Sequence, residues 1–255
     1  MPPLDPRAAR RDLTWGDVAV CDTLDLALTR LDAVYGLGGH PYFRWLADPA
    51  TTRDAFRRSQ VPFRYAVEAF AQALAGVLAH MPRLEDRLVV AENLAEEHGL
   101  GQGASHKETF LEYLRALGAD ADELARPCPI WVTAFNHAIR NLCLAQPYEC
   151  GAAALGVIEH LYVHASATIA RAVVARGWVA PGSQRHYEVH EVLDVTHARE
   201  LLDVARPAWD VPRTRAPVAL GLLLGAHWFW RLYEDLLPAD GAPVEPGGPP
   251  AGGAA

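Results

Sequence analysis

The chain has 255 residues, of which 51% are hydrophobic, so it is long enough to bury one large core or two small ones. Its net charge of −8 and pI of about 5.7 argue against a nucleic-acid-binding protein. Composition therefore favours an ordinary globular protein.

The sequence predicts neither a signal peptide nor a membrane-spanning helix. The N-terminal stretch MPPLDPRAARRDLTWG has no apolar run of the kind found in a signal peptide. The most apolar stretch, VALGLLLGAHWFW, is too short to span a bilayer. The cysteines show no CxxC spacing, which is typical of reduced thiols. We therefore expect a cytoplasmic protein with neither membrane nor nucleic acid as a partner.

Helical periodicity dominates the chain, and glycine- and proline-rich stretches such as YGLGGHP, HGLGQG and RPAWDVP interrupt it. The predicted helices in chain order are Asp22–Tyr35, Tyr42–Ala47, Thr52–His80, Leu84–His98, His106–Leu117, Pro129–Ala145, Tyr148–Arg176, Gln184–Val204 and Arg215–Leu237. Ser105 and Glu108 form a capping box that starts the helix at His106. We find no alternating strand pattern and no repeat. The expected fold is all-α, with one domain over residues 1–237 and a disordered Pro/Gly-rich tail over 238–255.

The stretch HYEVHEVLDVTHARE, residues 186–200, concentrates histidines and acids on one predicted helix. At about 100° per residue, His190, Asp194 and His197 project from a single stripe. The spacing H-x3-D-x2-H differs from the HExxH zinc-protease motif. Mixed nitrogen and oxygen ligation suits iron or manganese better than a structural zinc. The alternative is a polar helix face without metal.

Two other segments could complete such a site. Glu159 interrupts the apolar run AALGVIEHLYVHASATIA, and a carboxylate there must be paired, ligated or at the surface. Glu97 and His106 flank a glycine-rich turn that can bring them to one point, although the adjacent Glu96 leaves open which glutamate would ligate. Together the three segments supply three carboxylates and three imidazoles, enough for two metal ions.

These motifs resemble those of the heme-oxygenase-like diiron oxidases, whose fold is shared with pyrroloquinoline-quinone synthase and TenA-type thiaminases. The resemblance extends from HPYFRWL to LYEDLL and rests on NLAEEHG followed by His106, on ALGVIEH and on HEVLDVTHARE. It implies a heme-oxygenase-like helical bundle whose metal ligands and catalytic residues are Glu97, His106, a bridging Glu159, His190, Asp194 and His197. It also implies two Fe(II) ions per chain, with Mn/Fe as an alternative, O2 as co-substrate and no heme.

The resemblance further implies oxidation of a small organic substrate with help from an electron donor. The sequence favours N-oxygenation and oxidative C–C cleavage about equally as the reaction, with a slight preference for an amine- or amino-acid-derived substrate. It leaves open whether the protein is a homodimer. N-oxygenating members have an additional carboxylate ligand, for which Glu68 and Glu92 are candidates. Glu68 could instead pair with Arg64 at i−4. Side chains considered for substrate contact are Arg64, Tyr65, Trp131, His164 and His227.

One branch of the superfamily makes para-aminobenzoate from its own side chains, and Tyr42 corresponds to its sacrificed tyrosine. The lysine that this branch requires is replaced by Ile169, and Lys107 is the only lysine of the chain. We therefore interpret Tyr42 as an aromatic packing residue. Two rival functions remain: a TenA-like hydrolase with Cys143 or Cys150 as nucleophile, and a non-catalytic metal-binding helical protein.

Overall fold

A computed structural model describes residues 13–101 and 103–238, which form a single helical domain without strands. The helices are α1 Trp15–Ala19, α2 Leu24–Tyr35, α3 Pro41–Ala47, α4 Arg53–Gln60, α5 Arg64–His80, α6 Leu84–Glu97, α7 His106–Ala116, α8 Ala121–Ala125, α9 Ile130–Ala145, α10 Tyr148–Ala175, α11 Arg185–Asp210 and α12 Arg215–Leu236, with 3-10 turns at Leu37–Gly39 and Val61–Phe63. The predicted all-α class is confirmed. Of the predicted disordered tail, residues 239–255 lie outside the described part of the chain. No helix of that part combines the length and apolarity needed to cross a bilayer.

Side-chain caps explain where several helices begin. The hydroxyls of Thr23 and Thr52 accept hydrogen bonds from the first turns of α2 and α4. At α7 the Ser105 hydroxyl accepts from the Glu108 amide while the Glu108 carboxylate accepts from the Ser105 amide. The predicted capping box is therefore confirmed, and it fixes the position at which His106 enters its helix.

The prediction of one helix over Thr52–His80 is wrong. The segment divides into α4 and α5, which are separated by the 3-10 turn Val61–Phe63. Pro62 lies at the start of that turn, and its ring has no N–H to continue the α-helical hydrogen bonds of α4. The division gives α5 its own direction across the bundle.

The predicted end of the late helix at Val204 is also wrong. Helix α11 continues through Pro207 to Asp210. Proline in a helix interior normally costs about 3 kcal/mol. Ala205 and Trp209 on either side of it are fully buried, so packing of this last part of α11 against the core offsets the loss.

Helix α10 is the centre of the bundle and packs most extensively against α11 and α12. Two glycines of α12 allow close approach to the α10 backbone. A Cβ atom at Gly221 would lie 2.1 Å from the Cys150 carbonyl oxygen, and one at Gly225 would lie 2.5 Å from that of Ala154. This packing leaves one face of α10 for α11 and positions Glu159 opposite the histidine stripe.

Candidate metal centre

The six side chains predicted as ligands come together in the interior from four helices. Glu97 ends α6, His106 begins α7, Glu159 lies in the middle of α10, and α11 contributes the remaining three. Each of the six is at most 6% exposed: Glu97, His106, Glu159, His190, Asp194 and His197. Burial of this much charge requires compensation from within the site.

Each of the three imidazoles has one nitrogen engaged by a carboxylate. Nδ1 of His106 lies 2.9 Å from Glu97 Oε1, and Nδ1 of His190 lies 2.8 Å from Asp194 Oδ1. His197 uses its other nitrogen, with Nε2 2.7 Å from Oε2 of Glu96. A carboxylate on one ring nitrogen is the arrangement that orients a histidine towards a metal on the other.

The second nitrogen of each of these rings has no hydrogen-bond partner among the described residues. These atoms are Nε2 of His106, Nε2 of His190 and Nδ1 of His197, and all three are buried. Oε1 of Glu159 and Oδ2 of Asp194 are also buried without a hydrogen-bond partner, and Oε1 of Glu159 lies 3.8 Å from Nδ1 of His197. Buried polar atoms are rarely left unsatisfied, so five of them on these neighbouring side chains fit a bound cation.

The distances divide the site into two groups. Glu159, Asp194 and His197 each offer a ligand atom within 4.8 Å of the others. Beside this group, the rings of His106 and His190 have their centroids 4.3 Å apart. Among the described residues the first group has the spacing that could hold a metal ion, and the two rings add nitrogen atoms beside it.

Burial shifts the pKa values of several of these groups towards their uncharged forms. Burial raises the pKa values of Glu159 and Asp194 well above their ordinary range, and the neighbouring charge of Glu97 adds to both shifts. Burial also lowers the pKa of His190 well below its ordinary value. Without a cation the site therefore favours protonated carboxyls and a neutral imidazole, and a divalent cation would displace the carboxyl protons.

The structure assigns different roles to the adjacent glutamates that the sequence could not separate. Glu97 is buried against His106, whereas the side chain of Glu96 is 36% exposed and accepts a hydrogen bond from His197. Glu96 thus fixes the orientation of the His197 ring. No sequence signal distinguishes this role, because it depends on the approach of α6 to α11.

His186, the first histidine of the stripe, differs from the other three because both of its nitrogens have partners. Nδ1 lies 3.2 Å from the Thr109 hydroxyl, and Nε2 lies 3.1 Å from the Tyr162 hydroxyl. Thr109 donates its own proton to the carbonyl oxygen of His106, so it must accept from Nδ1–H of His186. Nε2 then accepts from Tyr162. His186 therefore ties α11 to α7 and α10 and is not among the atoms free to bind a metal.

Glu68 contacts two positively charged side chains and none of the six buried ones. Its carboxylate lies 3.4 Å from Nζ of Lys107 and 4.0 Å from the guanidinium of Arg64, and the side chain is 29% exposed. Glu92 is exposed on α6. The i−4 spacing predicted an ion pair between Glu68 and Arg64 as the alternative to metal binding, and the structure contains this pair.

A pocket with an apolar wall adjoins the site. Apart from Glu97, Glu159 and His190, the described residues that line it are Phe63, Ala66, Val67, Phe70, Phe135, Ile158, Tyr162 and Phe229. The side chains considered from the sequence for substrate contact are not among these lining residues. The sequence analysis did not identify the aromatic residues that line the pocket, because in the sequence they are indistinguishable from ordinary core residues. Only the packing of the helices shows that they face the site.

The interpretation of Tyr42 as a packing residue agrees with its surroundings. It is fully buried and its hydroxyl lies between Ser59 and Gln60. Burial raises its pKa far above the ordinary value for tyrosine.

Comparison with solved structures supports the fold. A domain of unknown function with a heme oxygenase-like fold from Shewanella denitrificans OS217 superposes with a TM-score of 0.67 at 16% identity, covering 84% of this chain and 90% of the other. A TenA homolog from Pseudomonas syringae pv. tomato DC3000 gives a TM-score of 0.65 at 13% identity, covering 88% and 96%. At these identities the likeness shows the fold alone. No curated protein matches the sequence.

The family comparison is more specific than the structural one. Residues 61–230 match the model of a family described as iron-containing redox enzymes. The matched range contains the whole buried cluster of nitrogen and oxygen ligands. The chain therefore belongs to the iron-containing redox enzyme family.

Proposed function

We propose that the protein is a non-heme diiron oxidase or oxygenase that uses O2 to oxidise a small organic substrate. The observation that carries the proposal is the set of five buried, unpartnered ligand atoms contributed by α7, α10 and α11. Three imidazoles and three carboxylates form a donor set that suits iron, and manganese in one position is the alternative. No heme is part of the proposal.

The described residues would hold two ions in the two groups defined by distance. Glu159, Asp194 and His197 would hold one ion, and Glu97, His106 and His190 the other, and Glu159 would serve both in the arrangement that the family resemblance implies. Three carboxylates leave a residual charge of about +1 with two ferrous ions, which removes most of the cost of burying them. Iron bound there would supply the redox chemistry of dioxygen.

The chain's own contribution to the reaction lies in the apolar pocket. Its aromatic and aliphatic wall excludes water from the side of the cluster formed by Glu97, Glu159 and His190. Beyond these three, no described lining residue carries a charge, so the pocket favours a substrate with an uncharged apolar body. The reacting end of such a substrate, amine- or amino-acid-derived in our proposal, would face the cluster. N-oxygenation and oxidative C–C cleavage are the two reactions to compare.

The rival functions receive less support from the geometry. Burial raises the pKa values of Cys143 and Cys150 to about 12, so neither thiol is set up as a nucleophile near neutral pH. Neither cysteine is among the described residues that line the pocket. A non-catalytic metal-binding protein would need the ligands but no pocket beside them.

Oxygen consumption after addition of ferrous iron tests the proposal. We expect consumption by the wild-type protein and none by a His190→Ala/Asp194→Ala variant. His164→Ala is the matched control, because His164 is exposed and lines a different groove. Metal uptake without oxygen consumption by the wild type would support a storage protein instead, and equal consumption by all three proteins would overturn the assignment of the site.

A further inference from the structure

A positively charged face is formed by residues of α4, α5, α7, α8 and α9 and of the segment between α8 and α9. We define this cationic face by two grooves that share Tyr65. One groove is lined by Arg58, Arg64 and Arg126 with Glu123, and the other by Lys107 and Arg140 with Glu68. The face thus has five cations against two carboxylates, although the chain as a whole has a net charge of −8.

Much of this positive charge is not neutralised within the described residues. Glu123 is already bound by Arg57, whose Nε lies 3.0 Å from its carboxylate. Arg58 and Arg126 are exposed and form no ion pair in the described part of the chain. Nε of Arg64 is buried without a hydrogen-bond acceptor, in a side chain that is 9% exposed. The face is therefore suited to an anionic partner.

The cationic face and the candidate metal centre are formed in part by adjacent residues of the chain. Lys107, which is 54% exposed, follows the buried His106 in the chain. Arg64 and Tyr65 directly follow Phe63, which lines the apolar pocket together with residues of α5. A partner on this face would therefore contact α5 and α7, which also contribute to the apolar pocket and to the centre.

We propose that the cationic face docks an acidic electron-donor protein. This inference rests on the proposed function, because an iron oxidase must be supplied with electrons. In each encounter the donor loses one electron and the proposed centre gains one. Since the overall charge of the enzyme repels an acidic partner at long range, a local cationic face would select both the docking site and the orientation. The groove between α2, α10 and α11 is less suited, because Asp25 and Asp32 there balance Arg199 and Arg206.

Calorimetric titration with an acidic [2Fe–2S] ferredoxin tests the docking site. The proteins compared are the wild type, an Arg58→Glu/Arg126→Glu variant and an Arg44→Glu/Arg171→Glu control, in which two exposed arginines outside the face undergo the same change of charge. We expect affinity to fall at least tenfold in the first variant and to stay within twofold of wild type in the control. Wild-type affinity should fall as salt is added. The same order is expected for the metal-free proteins.

Three results would overturn the docking proposal: no ferredoxin binding to the wild type, equal weakening in both variants, or binding of inorganic phosphate at this face in place of ferredoxin. Oxygen consumption by protein that is reduced with dithionite and then freed of the excess, which would itself consume O2, keeps the two proposals apart. Both double variants should retain wild-type consumption under that condition. If even the wild type consumes no oxygen with the chemical reductant, the proposed function fails, and the binding data still decide the fate of the docking site.

Discussion

In each of three imidazoles of the site, one ring nitrogen lies within hydrogen-bond distance of a carboxylate and the other has no hydrogen-bond partner. This division is what distinguishes His106, His190 and His197 from His186, whose two nitrogens are both engaged. The distinction separates the three proposed ligands from a histidine that links helices, and it rests on hydrogen bonds alone. It also leads to two predictions about single side chains.

The first prediction concerns the stability of the metal-free protein. In the metal-free protein, replacing Asp194 by Asn should increase the free energy of unfolding, although it removes a ligand. The folded-state pKa of Asp194 is raised, so stability is fully present below its unfolded-state pKa and is lost as pH rises through the folded-state value. The gain should therefore grow between pH 5 and pH 8, and one unit of pKa shift corresponds to about 1.4 kcal/mol. Urea unfolding at several pH values measures it, and a metal-free variant less stable than wild type at pH 8 would contradict the account.

The second concerns the hydrogen-bonded link between α7, α10 and α11. Thr109→Val removes the hydroxyl between His186 and the His106 carbonyl oxygen and should lower the free energy of unfolding by about 1–3 kcal/mol, the usual cost of an unsatisfied buried group. Thr109→Ser keeps the hydroxyl and should recover most of the loss. Iron content should stay unchanged in both, because neither variant alters a ligand. A Val variant as stable as the Ser variant would show that the link is unimportant.

At this scale the sequence could indicate candidate ligands but not all of their partners. Helical spacing placed His190, Asp194 and His197 on one stripe, and the family resemblance added the rest of the set. The roles of Glu96 and His186 depend on which helices approach α11, and one-dimensional periodicity holds no such information. Glu68 shows the same limit, because its partner Lys107 lies on another helix.

Among the helices, the predictions failed where proline and packing compete. Pro62 ended α4 although the apolar pattern continued, whereas Pro207 did not end α11 because Ala205 and Trp209 are buried around it. The same residue type thus gave opposite outcomes. Only the tertiary contacts of the flanking residues decide between them.

The contact of α12 with α10 predicts the effect of one methyl group. Gly221→Ala places a Cβ atom 2.1 Å from the Cys150 carbonyl oxygen, so the helices must separate, and the loss of stability should be about 1–3 kcal/mol or more. Gly39→Ala is the control, because nothing lies within 4 Å of its added Cβ atom. Thermal unfolding of both variants tests the prediction, which fails if the two melting temperatures change equally.

Helix α11 carries three of the six proposed ligands and should respond most to their occupation. Hydrogen exchange over Arg185–Asp210 should slow when ferrous iron is added, because the metal replaces mutually repelling, unsatisfied groups with bonds to other helices. Helix α2 supplies no ligand and serves as the internal reference. Identical exchange in α11 with and without iron would count against a site on this helix.

For the whole molecule, the sequence was sufficient to predict the fold class but not the distribution of charge on the surface. Helical periodicity was sufficient for an all-α bundle, and the family match covers its central part. The cationic face was not predictable, because Arg58, Lys107, Arg126 and Arg140 are distant in sequence and the net charge is negative. Both the face and the buried centre arise from the way the helices meet.

The central claim is that one chain holds two iron ions between four helices, and anomalous diffraction at the iron edge tests it most directly. Crystals of iron-loaded protein should show two peaks inside the buried cluster. One peak should be bounded by Glu159, Asp194 and His197, and the other by Glu97, His106 and His190. A single peak, or peaks away from these side chains, would contradict the account.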